Sequence, residues 1–443
     1  MRKIFGTDGA RGIANKEITV ELAVKIGRAV SEYFKGDGPV LIGEDSRVSS
    51  PMLRDAVAAG IASNGVDVIT AGVIPTPAVS LLTRLGNFCA GVVISASHNP
   101  IEYNGIKVFA HNGFKLEDEI EEEIEHLLDK VDLTNLPQGS LIGKVVEDTK
   151  LRESYVNRLV GRFSLNLTGV KIAVDTAFGA TYFTTPETLR RLGAELVTFG
   201  AEPDGSRINV NCGSTNPHII SELTESSKSD IGISHDGDGD RVIFSDSRGS
   251  IVDGDETMLI IGKWLHKKGK LKNNIVVGTV MSNMGIERAF VKNGIRFLRT
   301  SVGDRYVLSE MIKREATIGG EQSGHIIFLD ESSTGDGLIT ALMLLRVLID
   351  EGKPLSELRK GIVHFPQLLT NVKVKDKNIA QDKRFKDFVE SEIKLLGNKG
   401  RIVVRPSGTE PLIRIMVEGE NEGEIKNISV RIKEFLEGLK CVE

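Results

Sequence analysis

Short apolar runs rich in β-branched residues alternate along this chain with longer segments whose apolar positions recur every three or four residues. Val40-Leu41-Ile42, residues 66–70, Gly91-Val92-Val93-Ile94 and residues 106–109 read as strands. Residues 18–34, 51–64 and 76–85 read as helices between them. The acidic run over 117–130 carries Ile120, Ile124, Leu127 and Leu128 on one helical face, so it predicts a solvated amphipathic helix rather than an acidic tail. The alternation restarts with a strand over 170–174, a helix over 182–192 and strands over 194–199, 230–234 and 242–244. A third stretch predicts helices over 255–268, 283–293, 303–313 and 338–349, with strands over 275–278 and 296–299. After a transition over 355–371, the tail predicts a helix over 379–396, strands over 401–405 and 412–418, and a helix over 422–439.

This pattern predicts the α/β class, with mainly parallel or mixed sheets. Four domains are expected, over residues 1–150, 151–252, 253–368 and 369–443, the last a compact α+β unit. The first three suit repeats of one βαβ-rich plan, although no strict sequence period marks them.

Composition narrows the picture modestly. At 443 residues the chain exceeds one ordinary core, on a prior of ~150 residues per domain. A net charge of −5 argues against a dedicated nucleic-acid binder while leaving room for anions held by local cations. Three cysteines, at 89, 212 and 441, show neither metal-ligand spacing nor a disulfide framework, which suits a reducing cytosol. No apolar run of membrane-spanning length and no signal-peptide pattern is present, so the expected location is cytoplasmic and no membrane partner is expected.

Chemistry concentrates in a few loops. The strand ending at Ile94 runs into Ser95-Ala96-Ser97-His98-Asn99-Pro100, a loop at the carboxyl end of an α/β strand carrying two serines and a histidine. Ser97 lies in Ser95-Ala96-Ser97-His98-Asn99, which is not the G-x-S-x-G of a nucleophile elbow, and this disfavours a hydrolase triad; a turn serine is the plain alternative. Asp236-Gly237-Asp238-Gly239-Asp240-Arg241 brings three carboxylates together that would repel without a cation. It is not an EF-hand, because Arg241 stands at the sixth position and Ser247 at the twelfth; Mg²⁺ bridging to a phosphate fits better than Ca²⁺.

Gly320-Glu321-Gln322-Ser323-Gly324-His325 offers Glu321 and Ser323 to vicinal sugar hydroxyls, and His325 as a group titrating near neutrality. Arg405-Pro406-Ser407-Gly408-Thr409-Glu410-Pro411, with Arg414 beyond it, suits a non-reacting phosphate. Gly6-Thr7-Asp8-Gly9-Ala10-Arg11-Gly12 would let backbone amides approach an anion with Arg11 as a clamp. Each motif alone also reads as an ordinary turn, hairpin or buried polar group.

In combination and order, Ile94–Pro100, Asp236–Arg241, Gly320–His325 and Arg405–Pro411 resemble the four signature loops of the α-D-phosphohexomutase family. The resemblance implies three similar α/β domains and a smaller C-terminal domain around a central cleft. Phe5–Gly12, Asn211-Cys-Gly-Ser-Thr-Asn-Pro217 and Gln322 look like the phosphoglucosamine mutases within it, with Asn216 a departure from their usual His.

That likeness implies interconversion of glucosamine 6-phosphate and glucosamine 1-phosphate, feeding amino-sugar and cell-wall precursor synthesis. It favours Ser97 over Ser95 as a phosphoserine, with a sugar bisphosphate as intermediate and activator. Mg²⁺ would sit on Asp236, Asp238, Asp240 and the phosphoserine oxygen. Arg11 and Arg241 would assist the phosphoryl group, and Arg405, Ser407, Gly408, Thr409 and Arg414 would anchor the other phosphate. Lys107, His98 and His325 compete as proton carriers. The partner expected is a hexosamine phosphate, and the family likeness also implies a homodimer. The alternatives are a phosphomannomutase/phosphoglucomutase, a metal-dependent phosphatase and a non-catalytic sugar-phosphate sensor.

Overall fold

The computed structural model describes residues 4–6, 9–36, 38–128, 130, 134–407 and 411–440. They form four sheets. Across the first, the strands lie in the order Phe5–Gly6, Gly9–Ile13, Tyr103–Ala110, Ala90–Ile94, Val40–Glu44, Val68–Val73, Val145–Glu147. The second runs Ile251–Val252, Val242–Asp246, Ile231–His235, Lys171–Asp175, Glu195–Phe199, and the third Arg296–Thr300, Ile275–Thr279, Ile318–Gly320, Ile326–Phe328. The fourth is a three-stranded antiparallel sheet of Gln367–Lys373, Leu412–Gly419 and Gly400–Pro406.

The first three sheets share one core plan. Three parallel strands lie in the spatial order second, first, third, and an antiparallel fourth returns beside the third. Helices make each parallel crossover, for example Ser50–Ser63 and Thr76–Leu85 in the first unit and Met284–Lys292 and Asp304–Arg314 in the third. The central strands are covered on both faces and are accordingly near-continuous apolar runs, such as Val40–Glu44 and Ala90–Ile94, every residue of which is buried. The repeat is one of backbone topology, which is why no sequence period announces it.

One apolar cluster passes through all three α/β units, joining Val79 and Phe109 to Tyr155, Val174 and Phe244 and on to Phe290 and Leu342. The tail has its own core around Phe385, Ile413, Ile415 and Ile432. It docks on the third unit through polar groups: Arg401 donates to the Val280 carbonyl (2.7 Å), and Glu418 accepts from the Met284 amide (2.7 Å). The α/β units therefore share a core, whereas the tail is carried on hydrogen bonds and ion pairs.

Several elements differ from expectation. Residues read as a transition contain the strand Gln367–Lys373, so the tail sheet has three strands rather than two. Of that strand's residues only Val372 is buried, which blurs the apolar alternation. Helices Leu151–Phe163 and His218–Ser226 and the short hairpin Ile318–Gly320/Ile326–Phe328 are additional, as is the edge strand Val145–Glu147, exposed throughout. Among the described residues no helix is long and apolar enough to cross a membrane.

Candidate active site

The signature loops occupy equivalent places. Residues 95–102, 236–241 and 321–325 each connect the third parallel strand of a unit to its antiparallel fourth. The fourth motif spans the hairpin between Gly400–Pro406 and Leu412–Gly419. The first three are thus pinned at both ends by a strand ladder at the carboxyl ends of parallel strands, where α/β folds collect ligands, whereas the fourth joins two antiparallel strands.

Ser97 and the aspartate loop meet directly. The Ser97 hydroxyl donates to Asp236 Oδ2 at 2.7 Å, and both side chains are buried. Ser95, the other candidate, is occupied structurally: its hydroxyl donates to Asp45 (2.6 Å) and accepts the Ser97 amide (2.9 Å). Carboxylate oxygens of Asp236, Asp238 and Asp240 all lie within 4.8 Å of one another, and all three residues are buried. Burial, followed by Asp240 and Asp238, pushes the Asp236 carboxyl well above the usual carboxylate range. Asp240 Oδ1 is buried without a hydrogen-bond partner. Dense buried negative charge with an unused oxygen is a donor set that fits a hard divalent cation.

Cationic side chains and histidines surround this centre. Lys107, on the strand beside Ala90–Ile94, donates to Asp238 at 2.9 Å and lies 3.8 Å from Asp240. The Arg241 guanidinium is 3.8 Å from Asp240, and its Nε is buried without a hydrogen-bond partner. Arg11 enters from the strand Gly9–Ile13 and donates to Asn99 Oδ1 (3.0 Å), within the serine loop. His98 Nδ1 is 3.3 Å from Ser97 Oγ; burial, with help from Arg241 and Arg11, pushes the imidazole down to about 3, so it is neutral at physiological pH. His325 is 3% exposed, its Nε2 is 4.0 Å from Asp240, and neither ring nitrogen has a hydrogen-bond partner.

The remaining two loops face the same space. Glu321 accepts the Gly303 amide (3.1 Å), and its charge acts on both Arg241 and Arg405. Ser323 Oγ is buried and unbonded. Arg405 and Arg414 stand directly opposite on paired antiparallel strands, an arrangement that repels unless an anion lies between them. Burial, then Arg414, holds the Arg405 guanidinium below the ordinary arginine range. Ser407 is buried, and its amide donates to Leu412 O. Gly408 and Thr409 lie outside the described residues, as do Thr7 and Asp8 of the N-terminal glycine-rich motif.

Several residues at this centre escaped the sequence reading. Thr76 donates to Asp238 Oδ2 at 2.7 Å from the start of a helix in the first unit. Gln322 donates to Asp253, whose other oxygen caps the helix Gly254–Lys267. Arg47 and Asn209 both hold the carbonyl of Ser97. A Thr-Pro helix start, an Asx cap and a lone Asn in a loop each look ordinary in sequence; their neighbours are distant along the chain.

Four sequence families match the chain in order. Phosphoglucomutase/phosphomannomutase alpha/beta/alpha domains I, II and III cover residues 2–135, 153–249 and 253–365, and the C-terminal domain covers 369–435. The chain belongs to the phosphoglucomutase/phosphomannomutase family. Within it, the chain is 47% identical to the phosphoglucosamine mutase of Finegoldia magna, over 99% of both chains. It is 50% identical to that of Carboxydothermus hydrogenoformans, over 95% of this chain and 96% of the other. A family protein from Burkholderia thailandensis shares the fold with a TM-score of 0.83 at 23% identity, covering 99% of this chain and 98% of that one. An N-acetylglucosamine-phosphate mutase does so with a TM-score of 0.69 at 19% identity, covering 98% and 96%.

Proposed function

We propose that this chain is a phosphoglucosamine mutase that interconverts glucosamine 6-phosphate and glucosamine 1-phosphate through a phosphorylated Ser97. The observation that carries the reading is the buried Ser97 hydroxyl, 2.7 Å from an aspartate of a carboxylate triad, in a molecule that also carries a facing arginine pair. A phosphatase needs the first; only a mutase also needs an anchor for a phosphate that does not react. The choice of amino sugar rests on the full-length relatives, whose name is phosphoglucosamine mutase.

In this reading the Ser97 oxygen gives its phosphoryl group to the free sugar hydroxyl, the bisphosphorylated sugar turns end for end, and Ser97 takes back the other phosphoryl group. Mg²⁺ held by Asp236, Asp238, Asp240 and the phosphoserine oxygen would neutralise charge spreading over the phosphoryl oxygens. In-line transfer separates two proton positions, one at each oxygen flanking phosphorus. His98, neutral and 3.3 Å from Ser97 Oγ, suits the serine oxygen. Lys107 and His325 approach the triad from other elements and suit the sugar oxygen. Arg11 and Arg241 steady the phosphoryl group; Glu321 and Ser323 receive sugar hydroxyls; Arg405, Ser407, Gly408, Thr409 and Arg414 hold the resting phosphate in either orientation. The reaction takes place in the cytoplasm.

The test combines intact mass with turnover on Mg²⁺-loaded, phosphorylated protein. Incubation with a sugar bisphosphate adds one phosphoryl group to the parent and none to Ser97→Ala, which loses turnover. Glucosamine 6-phosphate is used with a kcat/KM about tenfold or more above those for glucose and mannose 6-phosphates. Turnover by Ser97→Ala would refute the phosphoserine route, and a preference for glucose or mannose phosphate would favour the phosphomannomutase/phosphoglucomutase reading.

A further inference from the structure

Ser97 sits in the left-handed region of backbone space, with φ of 52°. A non-glycine residue stays there only when its surroundings over-determine it, and here the surroundings are explicit. Its amide is held by Ser95 Oγ. Its carbonyl accepts two hydrogen bonds, from Arg47 Nη2 and from Asn209 Nδ2, each 2.9 Å long.

Arg47 is fully buried and uses all five of its guanidinium donors. Nε donates to Asp45 Oδ2 (3.0 Å), Nη1 to the carbonyls of Pro100 (2.5 Å) and Tyr103 (3.0 Å), and Nη2 to those of Ser97 and Asn99 (2.8 Å). One planar fork therefore fixes three carbonyls of the serine loop and that of Tyr103, the first residue of the strand that follows it. Asp45 completes the cradle by accepting from Ser50 (2.8 Å) and Ser95.

Asn209 reaches the same carbonyl from the second unit. Its side chain lies against Gly237, between the first two aspartates: a Cβ there would come within 2.6 Å of Asn209 Nδ2 and 2.8 Å of the Ser97 carbonyl oxygen. The amide of Asn209 thus fills the seam between the serine and aspartate loops, which must stay in register for Ser97 Oγ to face Asp236.

We propose that Arg47 and Asn209 are positioning residues for phosphoryl transfer, forming a two-sided clamp on the Ser97 carbonyl that fixes the serine oxygen against the aspartate triad. The proposal rests on the reading of Ser97 as the phosphoryl carrier. Because the clamp acts on the backbone of the carrier, its loss slows transfer to and from Ser97 and leaves affinity for the sugar phosphate nearly unchanged. A displacement on the order of 1 Å at a reacting atom costs about a hundredfold in rate.

Asn209→Gly is the cleaner probe, since Asn209 has φ of 60° and glycine accepts that backbone without strain. Arg47→Lys retains a cation for Asp45 but cannot fork to four carbonyls, and Arg47→Met removes the donors altogether. Measured on full-length, Mg²⁺-loaded protein are kcat and KM for glucosamine 6-phosphate, the rate of Ser97 phosphorylation from a sugar bisphosphate, and the melting temperature. We expect Asn209→Gly to lower kcat and the loading rate by about ten- to a hundredfold, with KM within about twofold. Arg47→Lys should retain more of both rates than Arg47→Met. Wild-type kcat in Asn209→Gly, or an effect confined to KM, overturns the clamp. A parent protein that takes no phosphoryl group overturns the carrier reading instead, so the two failures are distinct.

Discussion

Replacing Asp236 by Asn separates the cost of assembling the carboxylate triad from the benefit of a bound cation. With carboxylate oxygens no more than 4.8 Å apart and an effective dielectric of ~20, each like-charged pair costs about 3 kcal/mol. The substitution removes the two pairs that involve Asp236, to the extent that Asp236 ionises against its burial and its two neighbours. It keeps the oxygen that accepts from the Gly239 and Arg241 amides, and it turns an amide toward Ser97 Oγ, which can accept. Lys107 and Arg241 already offset part of the repulsion, so the net gain in EDTA is about 1–2 kcal/mol, worth roughly 2–5 °C in melting temperature for a core of this size. Mg²⁺ at about a hundred times its dissociation constant stabilises the parent by roughly 2.7 kcal/mol, and the variant loses most of that.

The stability order therefore inverts: the variant melts higher in EDTA and the parent higher in Mg²⁺. Thermal melts followed by circular dichroism, with and without the ion, read this without reference to activity. A variant melting several degrees below the parent in EDTA, or one keeping the full Mg²⁺ shift, would refute the reasoning.

Other expectations follow from the remaining groups. Arg405→Ala removes one charge-assisted donor from the phosphate anchor, worth about 1.5–3 kcal/mol, so KM for the sugar phosphate rises about ten- to a hundredfold while intact mass still shows Ser97 loading. Unchanged KM would place the resting phosphate elsewhere. Burial, then Asp253, raises Asp255 to about 7 from a carboxylate reference of 3.8. The folded state holds this proton more tightly than the unfolded chain, so the group's contribution is greatest at low pH and declines as pH rises toward 7. Urea midpoints across that range should fall more steeply in the parent than in Asp255→Asn, and equal slopes would show that Asp255 is not the titrating group.

Much of this site was legible in sequence because its chemistry is local. Three aspartates separated by single glycines can converge within one short loop, and the triad is found in one cluster. The apolar helix predicted over 338–349 appears as Gly337–Glu351, since its periodicity needs only neighbours in sequence. What stayed hidden depends on contacts between distant residues. Thr76 lies 162 positions from Asp238 and Asn209 lies 112 from Ser97, and nothing in their own surroundings marks them. Strands as short as Ile318–Gly320 carry no period at all, and that Ser95 is tied up by donating its hydroxyl to Asp45 shows only in the fold.

The three equivalent loops share a topology but are held in different ways. A turn between a parallel strand and its antiparallel neighbour is rigid in proportion to its shortness, because the ladder fixes both ends. Residues 321–325 and 236–241 are shorter, and are held by that ladder, by turn bonds such as Gly239 N to Asp236 Oδ1, and by amides of neighbouring units, Thr76 N donating to Asp238 O, Gly337 N to Gly239 O and Val242 N to Gly324 O. Residues 95–102 form a longer connection whose carbonyls would otherwise be free to move, and there the guanidinium of Arg47 gathers those of residues 97, 99, 100 and 103. Under the proposed phosphoserine route, the loop that bears the reacting oxygen is the one least determined by its own strands, and the precision it lacks comes from Arg47 in its own unit and Asn209 in the next.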